Sequence, residues 1–104
     1  MTEWIDAARD GALAPGEHLT LDVDGITVAL FNIDGALYAI EDTCSHDGAE
    51  IASGAVRNGE IVCPRHGARF CLKTGKVLSA PAYADIASYP VRVHEGRIQV
   101  GTLP

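Results

Sequence analysis

The sequence predicts an all-β fold built from antiparallel sheets. Short strand-like runs alternate with dipeptides typical of tight hairpin turns, since Asn-Gly and Asp-Gly supply the positive φ angles that a type I′ turn requires. Five such turns are predicted, at Asp24-Gly25, Asp34-Gly35, Asn58-Gly59, Thr74-Gly75 and Glu95-Gly96. Only residues 2–10 could equally form a helix, and the sequence leaves helix and strand open for this opening segment.

The predicted strands are short runs rich in Val, Ile, Leu and Phe, residues that suit a pleated, half-buried surface. Residues 19–23 alternate apolar and polar side chains, which is typical of a strand with one buried face. The other predicted strands follow in order: 26–31, 36–40, 61–62 paired with Val56, 70–72, 77–78, 91–93 and 98–100.

A chain of 104 residues corresponds to a single domain, residues 1–104. The segment of about 42–82 is richer in Gly, Pro, Cys and His than its flanks. We therefore interpret it as an insertion between the hairpins of an all-β base, which is formed by about 1–41 and 83–104.

The chain carries 14 acidic and 8 basic residues, a net charge of −6, which argues against a nucleic-acid partner. Residues 1–56 have a balance of −10 and residues 57–104 a balance of +4, an asymmetry that suits a docking protein. No apolar run approaches the roughly 20 residues needed to span a bilayer. The first residues also lack the basic and apolar regions of a secretory signal, so we expect a cytoplasmic protein with no membrane association.

Two loops each offer one thiol and one imidazole. Cys44 and His46 form the first pair, and Cys63 and His66 form the second after sixteen intervening residues. Such spacing lets a tight loop aim both side chains at one point, so the two loops together predict a four-ligand metal site. Buried residues without a metal, and a structural zinc site, are the alternatives; zinc sites usually pair Cys with Cys and His with His. Cys71 has no partner in either pair and is interpreted as a small buried hydrophobic residue.

These motifs resemble the C-x-H and C-P-x-H-G-x-x-F boxes of Rieske iron–sulfur proteins, and the nearest resemblance is to the ferredoxin components of bacterial ring-hydroxylating dioxygenases. The resemblance implies one [2Fe–2S] cluster per chain, with Cys44 and Cys63 on one iron and His46 and His66 on the other. It also implies a Rieske fold, in which a cluster-binding subdomain is inserted in a β-sandwich-like base. The histidines would lie at the tip of the molecule, where electrons enter and leave.

The implied function is that of a soluble, monomeric one-electron carrier without enzymatic activity of its own. It would pass electrons from a flavin-dependent NAD(P)H reductase to a terminal dioxygenase that hydroxylates aromatic rings, in aromatic hydrocarbon catabolism. The alternatives are a non-shuttling Rieske subunit, such as a nitrite reductase small subunit, and a zinc module. An oxygenase is disfavoured because only His18 and His94 remain for a mononuclear iron site. Respiratory members carry a disulfide where this chain has Ala49 and Arg65.

Two further expectations follow from the second box. High-potential members of the family place hydroxyl donors at the positions of Ala68 and Phe70, so this chain is expected to have a low reduction potential. Arg65 and Arg69 flank the predicted tip, and we hypothesise that they help to orient it against a partner.

Overall fold

A computed structural model describes residues 2–45 and 48–103 of the chain. Within these residues it contains eleven β-strands and no helix. The strands are β1 (Trp4–Arg9), β2 (His18–Val23), β3 (Ile26–Ile33), β4 (Ala36–Glu41), β5 (Val56–Arg57), β6 (Glu60–Val62), β7 (Arg69–Cys71), β8 (Val77–Ser79), β9 (Ser88–Tyr89), β10 (Val91–His94) and β11 (Arg97–Gly101). All pairings are antiparallel, so the predicted fold class is confirmed. Nowhere in the described ranges is there a helix long and apolar enough to cross a membrane.

The strands form three sheets, with the orders β1-β11-β10, β2-β3-β4-β9 and β5-β6-β7-β8. Successive side chains of β3 point to opposite faces of its sheet, and each face packs against a different sheet. Val28 and Leu30 pack with Ile98 and Val100 of the three-stranded sheet in one core. Ala29, on the opposite face of β3, belongs to a second core that includes residues of the third sheet. The sheet β2-β3-β4-β9 is therefore the middle layer: it closes a sandwich on one side and supports residues 56–79 on the other.

The opening segment is a strand. Trp4 pairs with Gly101 and Arg9 with Arg97, so β1 joins the last strand of the chain. A β-bulge between Asp6 and Ala8 interrupts the ladder. This bulge breaks the two-residue alternation of β1, which explains why the sequence pattern alone left helix and strand open.

Four of the five predicted turns have positive φ at both central residues. The first residue of each pair is Asp24, Asp34, Asn58 or Glu95, with φ between 51° and 53°, and a glycine follows it. The prediction of a two-residue turn at Thr74-Gly75 was wrong. There only Gly75 has a positive φ, and the connection between β7 and β8 is a longer turn.

Candidate metal centre

The first cysteine turn starts at Cys44, three residues after β4 ends. The backbone N–H of Cys44 donates to the carbonyl of Ala49 at 2.7 Å, and the N–H of Gly48 donates back to the carbonyl of Cys44 at 2.8 Å. Gly48 has a φ of 79°, a conformation that glycine adopts without a steric cost. These two hydrogen bonds close a compact turn with the cysteine at its first position.

The second cysteine turn repeats this geometry. The N–H of Cys63 donates to the carbonyl of Ala68 at 2.7 Å, and the N–H of Gly67 donates to the carbonyl of Cys63 at 3.0 Å. The φ of Gly67 is 77°. Glycine thus lies four residues after the cysteine in both turns, and alanine lies five residues after it. The two predicted boxes therefore share the same pair of closing hydrogen bonds and the same glycine conformation.

The same turn occurs a third time, at Cys71. The N–H of Cys71 donates to the carbonyl of Lys76, and the carbonyl of Cys71 accepts a hydrogen bond from the N–H of Gly75, both at 2.8 Å; the φ of Gly75 is 77°. All three cysteines of the chain therefore start the same turn. The sequence contains a signal for this, a glycine four residues after each cysteine, but the sequence prediction overlooked it.

Burial separates the three cysteines. Cys44 and Cys63 are each 1% exposed and belong to one buried core, together with Ile40 and Phe70. Cys71 is only half-buried, and no two of these cysteines are joined by a disulfide. His66 is exposed, whereas His46 and its neighbour Asp47 lie outside the described residues. The structure thus places two predicted ligands in one core and a third at the surface.

The residues present fit a [2Fe–2S] cluster with mixed ligation. The thiols of Cys44 and Cys63 are buried in one apolar core, each at the start of a tight turn, and would bind the cluster on the side that faces the protein interior. His66 is exposed on the second turn, as expected for a ligand at a solvent-facing tip. Residues 2–45 and 48–103 by themselves contain no group of three or more His, Cys, Asp or Glu placed to hold a metal ion.

The loop between β8 and β9, residues 80–87, is fastened to two of the cysteine turns. The hydroxyl of Ser45, next to Cys44, donates to the carbonyl of Ala84. The N–H of Ile86 donates to the carbonyl of Gly75 at 2.9 Å. Both contacts link the loop to the backbone that presents the cysteines, so the loop and the turns form one connected unit.

Asp42 supports the first turn from the inside, a role that the sequence analysis missed. It is 8% exposed, and its Oδ1 accepts hydrogen bonds from the N–H groups of Ile51 and Ala52, both at 2.9 Å. Its own N–H donates to the carbonyl of Thr27 at 2.9 Å. Asp42 therefore holds the chain that enters the first turn to the chain that leaves it.

We expect Asp42→Ala to lower the free energy of unfolding by about 3 kcal/mol, because it leaves two buried N–H groups without an acceptor. Asp42→Asn keeps an acceptor oxygen and should cost about 1 kcal/mol. Urea unfolding of both variants, loaded with the cluster, measures the difference. Equal losses would contradict the assigned role.

Cys71 differs from the other cysteines in its side-chain environment. A hydrogen bond from the Thr74 hydroxyl lowers the pKa of the Cys71 thiol, against the opposing effect of burial. A lowered pKa means more thiolate at a given pH. Thr74→Val should therefore move the pH midpoint of Cys71 alkylation upward, and Thr74→Ser should leave it in place. The measurement is the rate of iodoacetamide labelling, followed by mass spectrometry; an unmoved midpoint in Thr74→Val would refute the hydrogen bond's effect.

The two arginines of the second box differ in their surroundings. The Arg69 guanidinium lies 3.5 Å from the Glu60 carboxylate at the surface of the third sheet. Arg65 is exposed on the second turn itself. The hypothesis that both orient the tip against a partner stays a prediction.

Comparison with known proteins bears on the identity of the domain. The Rieske [2Fe-2S] domain family matches residues 3–90. The chain is similar to the ferredoxin component of a naphthalene 1,2-dioxygenase system from Pseudomonas aeruginosa, with 37% identity over 96% of this chain and 97% of the relative.

Solved structures of similar fold include a ferredoxin complex and a reductase subunit. The chain is similar to a structure described as the complex of reduced oxygenase and oxidised ferredoxin in carbazole 1,9a-dioxygenase (TM-score 0.85, 30% identity, 93% of this chain and 91% of that chain). It is also similar to a structure described as the small subunit of an NADH-dependent nitrite reductase from Mycobacterium tuberculosis (TM-score 0.87, 31% identity, 100% and 98%).

Proposed function

The chain belongs to the Rieske [2Fe–2S] family, and from this we propose that it is a soluble, cytoplasmic and monomeric one-electron carrier. It takes electrons from a flavin-dependent NAD(P)H reductase and delivers them to a terminal oxygenase that hydroxylates aromatic rings. The observation that carries the proposal is the matched pair of cysteine turns around one core. The similarity to the naphthalene dioxygenase ferredoxin component over nearly its whole length supports the carrier role.

We assign the ligands of one cluster per chain to Cys44, His46, Cys63 and His66, in a cluster-binding part of about residues 42–82. When bound, a [2Fe–2S] cluster supplies reversible one-electron chemistry. The protein's contribution is to bury the thiols of Cys44 and Cys63, and to present His66 to solvent, where a partner can approach it.

The chain's remaining histidines support a carrier rather than an oxygenase. His18 begins β2 in the middle sheet, and His94 ends β10 in the three-stranded sheet. A mononuclear iron site needs two histidines and a carboxylate at one point. These two residues lie in different sheets, so they do not provide such a pair.

Reconstitution tests the proposal. Protein produced with iron should contain iron and acid-labile sulfide in equal amounts and no stoichiometric zinc. The loaded protein should be reduced by NADH through a flavoprotein reductase and then reoxidised by a terminal aromatic dioxygenase with product formation. Stoichiometric zinc without sulfide would instead identify a structural zinc module.

A non-shuttling subunit is the second candidate, because the chain is as similar in fold to the nitrite reductase small subunit as to the ferredoxin. Such a subunit would co-purify in a stable complex with a catalytic chain. A carrier should elute alone and exchange between partners.

The proposed role predicts a midpoint potential in the lower part of the Rieske range of about −150 to +300 mV, and below about +100 mV. Ala68 and Phe70 are fully buried, and neither side chain can donate a hydrogen bond to a cluster sulfur. We expect Ala68→Ser with Phe70→Tyr to raise the potential in a redox titration. Val28→Thr, which adds a hydroxyl in the core on the opposite face of the middle sheet, is the control. A midpoint above the stated limit would contradict the argument.

A further inference from the structure

A groove of about 440 Å³ lies beside the second cysteine turn. Cys63, Pro64 and Gly67 of that turn line it, together with residues 53–55, Val62 and two arginines, Arg57 and Arg69. We call it the basic groove. Because Cys63 is a proposed cluster ligand, any group bound there lies within a few ångströms of the cluster-binding turn.

The charge of the basic groove is opposite to that of the molecule. Its two charged lining residues are both arginines, in a chain of net charge −6. Residues 56–79, which contain the third sheet, hold five basic residues and one acid. Residues 17–41, in the middle sheet, hold five acids and no Lys or Arg. The positive potential is therefore concentrated on the part of the fold that carries the second turn.

The arginines are available to an external carboxylate. Arg69 is 56% exposed, and its contact with Glu60 is a surface ion pair of the kind that contributes little to stability. Arg57 is exposed and makes no ion pair within residues 2–45 and 48–103. A guanidinium is planar, and two of its N–H groups can donate parallel hydrogen bonds to one carboxylate. The groove thus presents two guanidinium groups beside the second cysteine turn.

We propose that the basic groove binds an acidic segment of the electron-donating flavoprotein; this rests on the proposed carrier function. Carboxylates held next to Cys63 place negative charge near the cluster, which makes addition of an electron less favourable. Linkage is reciprocal, so the acidic segment binds the oxidised carrier more tightly than the reduced carrier. A donor needs this preference, because it must capture the oxidised form and release the reduced form.

The electron count closes within this scheme. A fully reduced flavin gives up its two electrons one at a time. Each encounter removes one electron from the flavin and adds one to the carrier, the protons of the reduced flavin pass to solvent, and no covalent bond between the two proteins forms or breaks. Two oxidised carriers are therefore captured, and two reduced carriers released, for each flavin that is fully reoxidised.

The test uses the cluster-loaded protein and poly-L-glutamate as the probe. Titration calorimetry should show tighter binding to the oxidised than to the dithionite-reduced protein, and the midpoint potential should fall when the probe is added. Arg57→Gln with Arg69→Gln should weaken binding about tenfold, as expected when two exposed charge contacts are lost, and should abolish the fall in potential.

Lys73→Gln with Lys76→Gln is the matched control. It removes the same charge from the turn between β7 and β8, away from the groove lining, and should change the affinity by less than about twofold. Equal weakening in both variants would overturn the proposal, since net charge alone would then explain binding. Visible absorbance and circular dichroism verify that both variants carry the cluster and are folded.

Steady-state kinetics separate this proposal from the carrier function. With the arginine variant, the KM for the carrier should rise in the reaction with a flavoprotein reductase while kcat is kept, and the KM with a terminal oxygenase should be unchanged. A rise only with the oxygenase, or in neither reaction, overturns the groove assignment but keeps the carrier function. Failure of the parent protein to accept electrons overturns the carrier function itself. A salt-sensitive dimer that the arginine variant abolishes would assign the groove to a second copy, and so also overturn the proposal.

Discussion

Cys44→Ser is expected to yield a colourless protein without iron or sulfide, whereas Cys71→Ser is expected to keep the full cluster. The two cysteines start turns with the same hydrogen bonds and nearly the same glycine φ, so the substitutions disturb the backbone alike. They differ in that Cys44 lies in the buried core with Cys63. His66→Ala should also lose the cluster, although its exposed side chain contributes little to packing.

Loss of the cluster should also lower the free energy of unfolding, because the free energy of metal ligation is also free energy of folding. For Cys44→Ser we expect the free energy of unfolding to fall by at least about 2 kcal/mol, which in a domain of this size lowers the melting temperature by about 8–16 °C. Cys71→Ser should cost about 1–2 kcal/mol at its half-buried position. Iron and sulfide analysis with thermal unfolding measures both effects. Retention of the cluster by Cys44→Ser, or its loss from Cys71→Ser, would show that the ligands are assigned wrongly.

Gly75→Ala is expected to destabilise the protein by at least about 3 kcal/mol more than Gly59→Ala. Both glycines have nearly the same φ, 77° and 76°, so the cost of placing alanine in the left-handed region is common to both. A Cβ on Gly75 would lie 2.0 Å from the carbonyl oxygen of Ile86, whereas a Cβ on Gly59 would meet nothing within 4 Å. The difference therefore isolates the close approach between the third cysteine turn and the loop 80–87.

Urea unfolding of the two variants gives the comparison. Gly59→Ala alone should cost about 1–2 kcal/mol, the penalty for a left-handed alanine. In Gly75→Ala the loop must move away, and the hydrogen bond from the Ile86 N–H to the Gly75 carbonyl is strained. Similar free energies for the two variants would mean that the loop adjusts at little cost.

The sequence predicted those parts of the fold in which a local requirement dictates the structure. Asp24-Gly25 and Asn58-Gly59 form hairpin turns because the turn type demands positive φ at two successive residues. The Cys and His boxes were recognised for a similar reason, since ligand geometry limits their spacing. The four site residues remain proposed ligands, and three of them lie on the turns described above.

The sequence did not predict features that depend on distant parts of the chain. The strand β1 is fixed by pairing with β11, about 90 residues away, and its bulge at Asp6 removes the alternation that would reveal it. The buried role of Asp42 depends on the N–H groups of Ile51 and Ala52, which no local pattern indicates. The Cys71 turn was missed because Thr74-Gly75 resembles a two-residue turn when the bond to Lys76 is unknown.

The pairing of β1 with β11 also has a consequence for the order in which the sheets fold. The third sheet pairs residues that lie close together in the sequence, such as Glu60 with Cys71 and Arg69 with Ser79. The three-stranded sheet instead needs Trp4 and Gly101 together, two residues that are far apart in the sequence. Contacts between such distant residues form slowly. The sheet that carries the second and third cysteine turns can therefore assemble first, and closure of the sandwich by β1 and β11 follows as a later step of folding.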